Sequence, residues 1–199
     1  MQTEGLMIQN MNNTSSESGE GLEGPHLPTS DELKQWTFYM RDATGQRGNW
    51  DKTLQEIHSF DTVKGFWELL YHMAKPSQIK QNPRTKEAKN ISIFRKGISP
   101  RWEDPANSNG GRFEMNISAD KLGSSLEIDK LWEDLILLMI GENFGELNEK
   151  IHGVDLAIRR REYRLSLWVG ECDEQAKSLM IEKIKSISDV EIRFENHTW

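Results

Sequence analysis

The sequence predicts a single α+β domain in which an antiparallel β-sheet carries helices on one face. Three observations lead there. Short β-rich runs such as WTFYM at 36–40 and RLSLWVG at 164–170 recur along the chain, several alternating apolar and polar residues. Three longer stretches repeat apolar residues at helical spacing. The strands come both as sequence neighbours and separated by helices, which favours hairpins and antiparallel pairing. A chain of 199 residues is ample for one such core.

Taken in order, residues 1–33 hold Glu4, Glu17, Glu20, Glu23, Asp31 and Glu32 and neither Lys nor Arg, a net of −6 out of the chain's −7. The run from Met11 is Ser, Asn, Gly and Glu with hardly any apolar residue, so residues 1–25 are expected to be a disordered acidic tail and 26–199 the domain. The first strand is WTFYM. Val63, Phe66, Trp67, Leu70 and Ala74 then mark a helix with Asp61 or Thr62 as its cap. Residues 75–90 form a long loop, rich in Lys and Arg, that is either a solvated surface or a positive face for phosphates. Strands follow at 91–95 and 113–117. A second helix over Glu127–Phe144 is apolar on two sides, so it is deeply buried or keeps one side for a partner. Strands at 154–159 and 164–170 form a hairpin turning near Arg161–Tyr163. A third helix is capped by Asp173, and a strand closes the domain at 190–195.

Composition narrows the function. Hydrophobic residues make up 36% and the mean hydropathy is −0.70, so no run is apolar enough to span a bilayer, and no secretory leader is evident. The lone Cys172 cannot form an internal disulfide, which suits the cytoplasm or nucleus, and is expected to be a small packed side chain. His58, His72 and His152 stand isolated and read as structural.

The most informative stretch is GISPRWEDPANSNGGRFEMNIS at 97–118. Trp102 and Glu103 sit in a loop bracketed by Pro100 and Pro105. A large aromatic in an exposed loop suggests something stacked on it. A carboxylate beside it can accept two parallel N–H bonds from a guanine edge, and Arg112 can hold phosphate as a planar fork. Read alone, these residues also fit a core tryptophan with a surface Glu103–Arg112 ion pair. Trp50 lies in a second polar loop, so two indoles could sandwich one base, with a cation–π gain if that base is cationic. Arg159, Arg160, Arg161 and Arg164 cluster about the hairpin turn, either as a solvated edge or as a positive funnel.

Together, the run from Trp50 to FDTVKGFW (60–67), FRKGISPRWEDPANSNGGRF (94–113), LWEDLILLMIGENF (131–144) and HGVDLAIRRREYRLSLW (152–168) closely resemble the eukaryotic translation initiation factor 4E family of mRNA 5′-cap-binding proteins. The resemblance covers roughly residues 26–197. It implies a curved antiparallel sheet with helices on its convex face. It matches Trp50 and Trp102 to the indoles that sandwich 7-methylguanine, Glu103 to the guanine-edge carboxylate, and Arg112 and Arg159 to phosphate ligands. Arg164 stands where the family commonly has Lys, and Trp168 near the N7-methyl group. On the helical side, Val63, Trp67 and Leu137 match a dorsal surface for the Tyr-x-x-x-x-Leu-Φ helix of an initiation factor 4G-like scaffold or of 4E-binding proteins.

The resemblance also has departures. Glu133 occupies a dorsal position that is often Leu, which bears on partner preference. Phe113 replaces a common Trp. The 75–90 loop looks long, and by the resemblance the family's C-terminal loop and final strand are expected to be missing, so contacts to the first nucleotides are expected to differ. The implied protein is a monomeric binding module of the cytoplasm or nucleus with no membrane partner, no metal, no cofactor and no catalytic residue. The alternative within the fold is a cap-binding repressor or specialised isoform that does not recruit initiation factor 4G. An enzyme using Glu103 and Asp104 as acid and base is disfavoured, because neighbouring loop carboxylates more often point apart.

Overall fold

The computed structural model describes residues 31–42, 53–79, 89–120 and 125–197. The proposed acidic tail, Trp50 and most of the basic loop lie outside them. Among the described residues seven strands form one curved sheet: β1 (Glu32–Asp42), β2 (Leu54–Thr62), β3 (Lys89–Arg95), β4 (Gly111–Ser118), β5 (Ile151–Ile158), β6 (Glu162–Val169) and β7 (Ile192–Asn196). Their order is β2-β1-β3-β5-β6-β4-β7, and every neighbouring pair is antiparallel. Helices α1 (Val63–His72), α2 (Ser125–Ile140) and α3 (Glu174–Lys185) pack on the convex face.

Alternation along each strand sorts the side chains. In β4, Phe113, Met115 and Ile117 turn toward the helices, while Arg112, Glu114 and Asn116 turn to the concave face. In β6, Leu165, Leu167 and Val169 face the helices and Arg164, Ser166 and Trp168 the other side. The main core joins Trp36, Phe38, Ile91 and Ile93 of the sheet to Phe66 of α1, Ile128, Trp132, Leu135 and Met139 of α2, and Met180 and Ile184 of α3. Thr62 caps α1 by accepting from the Gly65 amide at 3.0 Å, and Asp173 caps α3 through Ala176 at 2.7 Å.

Four elements differ from the sequence expectation. Strand β2 is an edge strand whose sequence, LQEIHSFDT, buries only Phe60, so no apolar alternation announces it. Helix α2 ends at Ile140 instead of Phe144. The chain reverses through Glu142 at φ 53°, and buried Asn148 donates to the carbonyls of Glu142 and Gly145 at 2.7 and 2.6 Å. A 3-10 turn, Gly145–Lys150, follows. The β5–β6 turn is made by 159–161, closed by the Arg159 amide donating to the Glu162 carbonyl at 2.9 Å, so it falls before the expected Arg161–Tyr163. Cys172 is half-buried against the core, and burial pushes its thiol up. No described helix is long and apolar enough to cross a membrane.

Candidate functional site

The concave face has its own small apolar floor. Tyr39, Phe94 and Trp168 are buried together there, joined by Leu54 and Ile98. Phe94 meets Trp168 edge-on with ring centroids 5.5 Å apart. Gly153 makes this possible: a Cβ there would lie 2.4 Å from the Phe94 ring. Ile98 then leads out of β3 into the loop that carries Trp102.

That loop is held from within. The Asp104 carboxylate accepts from the Ser99 and Ala106 amides at 2.8 and 3.0 Å. Asn107 is fully buried beneath it and donates to the carbonyls of Ser99 and Arg101 at 2.9 and 2.7 Å. With both amide hydrogens so used, its Oδ1 accepts, so His152 donates through Nδ1 at 2.9 Å from β5. His197 reaches the Asn107 carbonyl from beyond β7 at 3.0 Å. Burial holds both imidazoles below their ordinary value. Above this strut Trp102 is 37% exposed and Glu103 is exposed, so Trp102 is not a core residue. Glu103 makes no hydrogen bond or ion pair among the described residues, and Asp104, spent on two amides, does not form a catalytic pair with it.

The basic residues sort differently from their spacing. Arg112 pairs not with Glu103 but with Glu114 and Glu195, at 3.1 and 2.5 Å, and its guanidinium lies 5.9 Å from the Trp168 ring. Arg164 lies 3.7 Å from Glu114. Arg159 sits in the turn, so strand alternation does not fix its face. One of its terminal nitrogens is buried without a hydrogen-bond partner among the described residues, and burial and then Arg164 lower its pKa. Asp155 on β5 acts electrostatically on both, accepting from Ser92 at 2.7 Å and Asn90 at 3.1 Å; burial pushes its carboxyl up. Trp168 forms part of the floor, its ring tilted 46° against that of His197 with centroids 4.4 Å apart. Arg112, Arg164 and Trp168 thus share one face, with Arg159 at its edge. Trp50 lies outside the described residues.

On the opposite side, Trp67 is 46% exposed on α1, with Val63 half-buried at the helix start and Leu137 half-buried on α2. Exposed Glu133 lines a groove of 440 Å³ with Leu70, Met73, Pro76, Trp132 and Asp134. A larger, apolar groove of 630 Å³ lies between α1 and the β1–β2 edge, lined in part by Met40, Ile57, Leu69 and Ile79.

Residues 33–198 match the family model described as eukaryotic initiation factor 4E. The chain belongs to the eukaryotic initiation factor 4E family. It is 31% identical over 168 residues to eukaryotic translation initiation factor 4E1 of Drosophila melanogaster, covering 84% of this chain and 61% of that protein. It is 30% identical over 176 residues to initiation factor 4E of Candida glabrata, covering 83% and 79%. It thus spans about three-fifths of the Drosophila relative. Among solved structures, it superposes on Ascaris suum eIF4E-3 in complex with m7G cap with a TM-score of 0.75 at 26% identity, covering 84% and 92% of the two chains. A schistosome eIF4E complexed with m7GpppG and 4E-BP gives 0.71 at 29% identity, covering 83% and 88%.

Within this 4E fold, sequence reasoning missed Asn107, Glu114, Glu195 and His197. The signal for Glu114 was present, since alternation places it on the face of Arg112. Nothing local marks Glu195 or His197, which arrive from 80 and more positions away.

Proposed function

We propose that the concave face binds the 7-methylguanosine 5′ cap of mRNA and that the protein acts in translation initiation, in the cytoplasm or nucleus. The observation that carries this is the loop 96–110. It spends Asp104 and Asn107 internally and leaves Trp102 and Glu103 outward at the margin of an arginine-bearing face. Trp102, with Trp50, stacks on the methylated base; Glu103 reads its N1–H and 2-amino group; Arg159, Arg164 and Arg112 meet phosphates; Trp168 closes the floor near the methyl group. No bond is made or broken, so the protein is a binding module and not an enzyme. Relatives solved with m7G cap and with m7GpppG support the ligand.

The dorsal side, with Val63, Trp67, Glu133 and Leu137, receives the helix of a 4G-like scaffold or a 4E-binding protein. Relatives solved with the 4E-binding protein Mextli and with 4E-BP support that partner class. The exposed carboxylate of Glu133 favours the second reading, a cap-binding repressor or specialised isoform that does not recruit initiation factor 4G.

Competition for immobilised 7-methyl-GTP tests the first reading. The expected result is elution by 7-methyl-GDP at far lower concentration than by GDP. Trp102→Ala should lose roughly 1–3 kcal/mol. Equal competition by the two nucleotides overturns the cationic sandwich.

A further inference from the structure

We propose that Glu195 is a built-in competitor for the Arg112 guanidinium, which a ligand phosphate must displace, so that this face gains less from a phosphate that reaches Arg112 than its arginines suggest. This rests on the cap-binding reading above. Arg112 is not an open fork. Its Nε donates to Glu114 at 3.1 Å and its Nη2 to Glu195 at 2.5 Å.

The two carboxylates differ in how firmly they are held. The Glu114 side chain is only 7% exposed, and Asn116 donates to its other oxygen at 2.8 Å. It is a fixed part of the floor. The Glu195 side chain is 49% exposed on β7, the strand at the sheet edge, and Arg112 is its ion-pair partner. It can swing into solvent when a stronger anion arrives, because about half of it is already exposed.

The make-up of the face agrees. Arg41, Arg112, Arg159 and Arg164 share it with the carboxyl groups of Glu114, Asp155, Glu162 and Glu195, so the face is mixed in charge and not simply basic. A phosphate near Arg112 therefore meets two carboxylates as well as a guanidinium. Near Arg159 it meets a guanidinium that has one buried nitrogen without a hydrogen-bond partner among the described residues. The first phosphates are expected to engage Arg159 and Arg164, and only a ligand reaching Arg112 has to evict Glu195.

The test is fluorescence titration of the full chain with 7-methylguanosine and its mono-, di- and triphosphates, together with inorganic triphosphate, at low and high salt. Glu195→Gln and Glu195→Ala should each raise the ratio of triphosphate to nucleoside affinity roughly two- to fivefold at low salt, the range of an exposed ion pair, with the gain shrinking as salt rises. Inorganic triphosphate should gain likewise. An unchanged or lower ratio in both variants overturns the competitor role and makes Glu195 a support for Arg112. If the wild-type chain shows no preference for 7-methylguanosine nucleotides over guanosine nucleotides, the cap reading fails instead. The response of inorganic triphosphate then still decides the role of Glu195.

Discussion

Removing the Asn107 side chain tests whether the site is built by its loop. Asn107→Ala deletes three hydrogen bonds, to the carbonyls of Ser99 and Arg101 and from His152, at 2.9, 2.7 and 2.9 Å. At about 1 kcal/mol net each, the loss is about 3 kcal/mol, with more if the freed carbonyls stay dry. Two of the three partners lie within the loop itself, so the loss falls on loop opening rather than on the whole sheet. About 3 kcal/mol is a factor of roughly 150 in the open population. Hydrogen exchange reads it directly: the Asn107 and Ser108 amides donate to the Asp104 carbonyl at 2.8 and 3.0 Å, and Gly110 to the Asn107 carbonyl at 2.9 Å. These three should exchange roughly 100-fold faster while β5 and β6 amides hold, and 7-methyl-GTP affinity should fall because Trp102 and Glu103 are no longer preorganised. Unchanged exchange at all three, with unchanged affinity, would refute the strut.

Three further outcomes are expected. Gly153→Ala should destabilise by about 1–3 kcal/mol, since the new Cβ would lie 2.4 Å from the Phe94 ring and drive it toward Trp168; a wild-type urea midpoint would refute this. Burial holds His152 and His197 below the ordinary 6.5, so the unfolded chain binds more protons near that value, and stability present above it should fall as pH drops through it. Urea midpoints from pH 8 to 5 check the sign, and a rise on acidification would contradict it. Glu133→Leu should tighten binding of an amphipathic Tyr-x-x-x-x-Leu-Φ peptide about tenfold by restoring apolar contact, as read by fluorescence anisotropy; equal affinity would remove Glu133 from the surface.

Much of the fold was legible because burial writes a period into the chain. Strand β4 reads Phe113, Met115, Ile117 on one side and Arg112, Glu114, Asn116 on the other, and the structure keeps that division. Strand β2 was not legible for the converse reason: on an edge with one buried residue, pairing is made by backbone groups, which every sequence has. The end of α2 was missed because LMIGENF continues an apolar pattern while the stop comes from Glu142 at positive φ and from Asn148 below it.

The tryptophans show what spacing cannot supply. Among the described residues, Trp36 and Trp132 lie in the main core, Trp168 in the concave floor, and Trp67 and Trp102 outside. All five are the same apolar surface looking for cover, so hydrophobicity alone would bury each of them. Trp36 and Trp168 follow strand parity, and Trp132 the inner side of a helix. Trp102 has neither rule to follow. Its exposure is settled by two short polar neighbours, Asp104 and Asn107, which consume the loop's amides and carbonyls and turn the chain so that positions 102 and 103 cannot reach inward. An outward indole kept at that cost of burial is the strongest reason to expect a planar ligand there. It also explains why the loop's polar residues bear on function as directly as the residues that would touch the base.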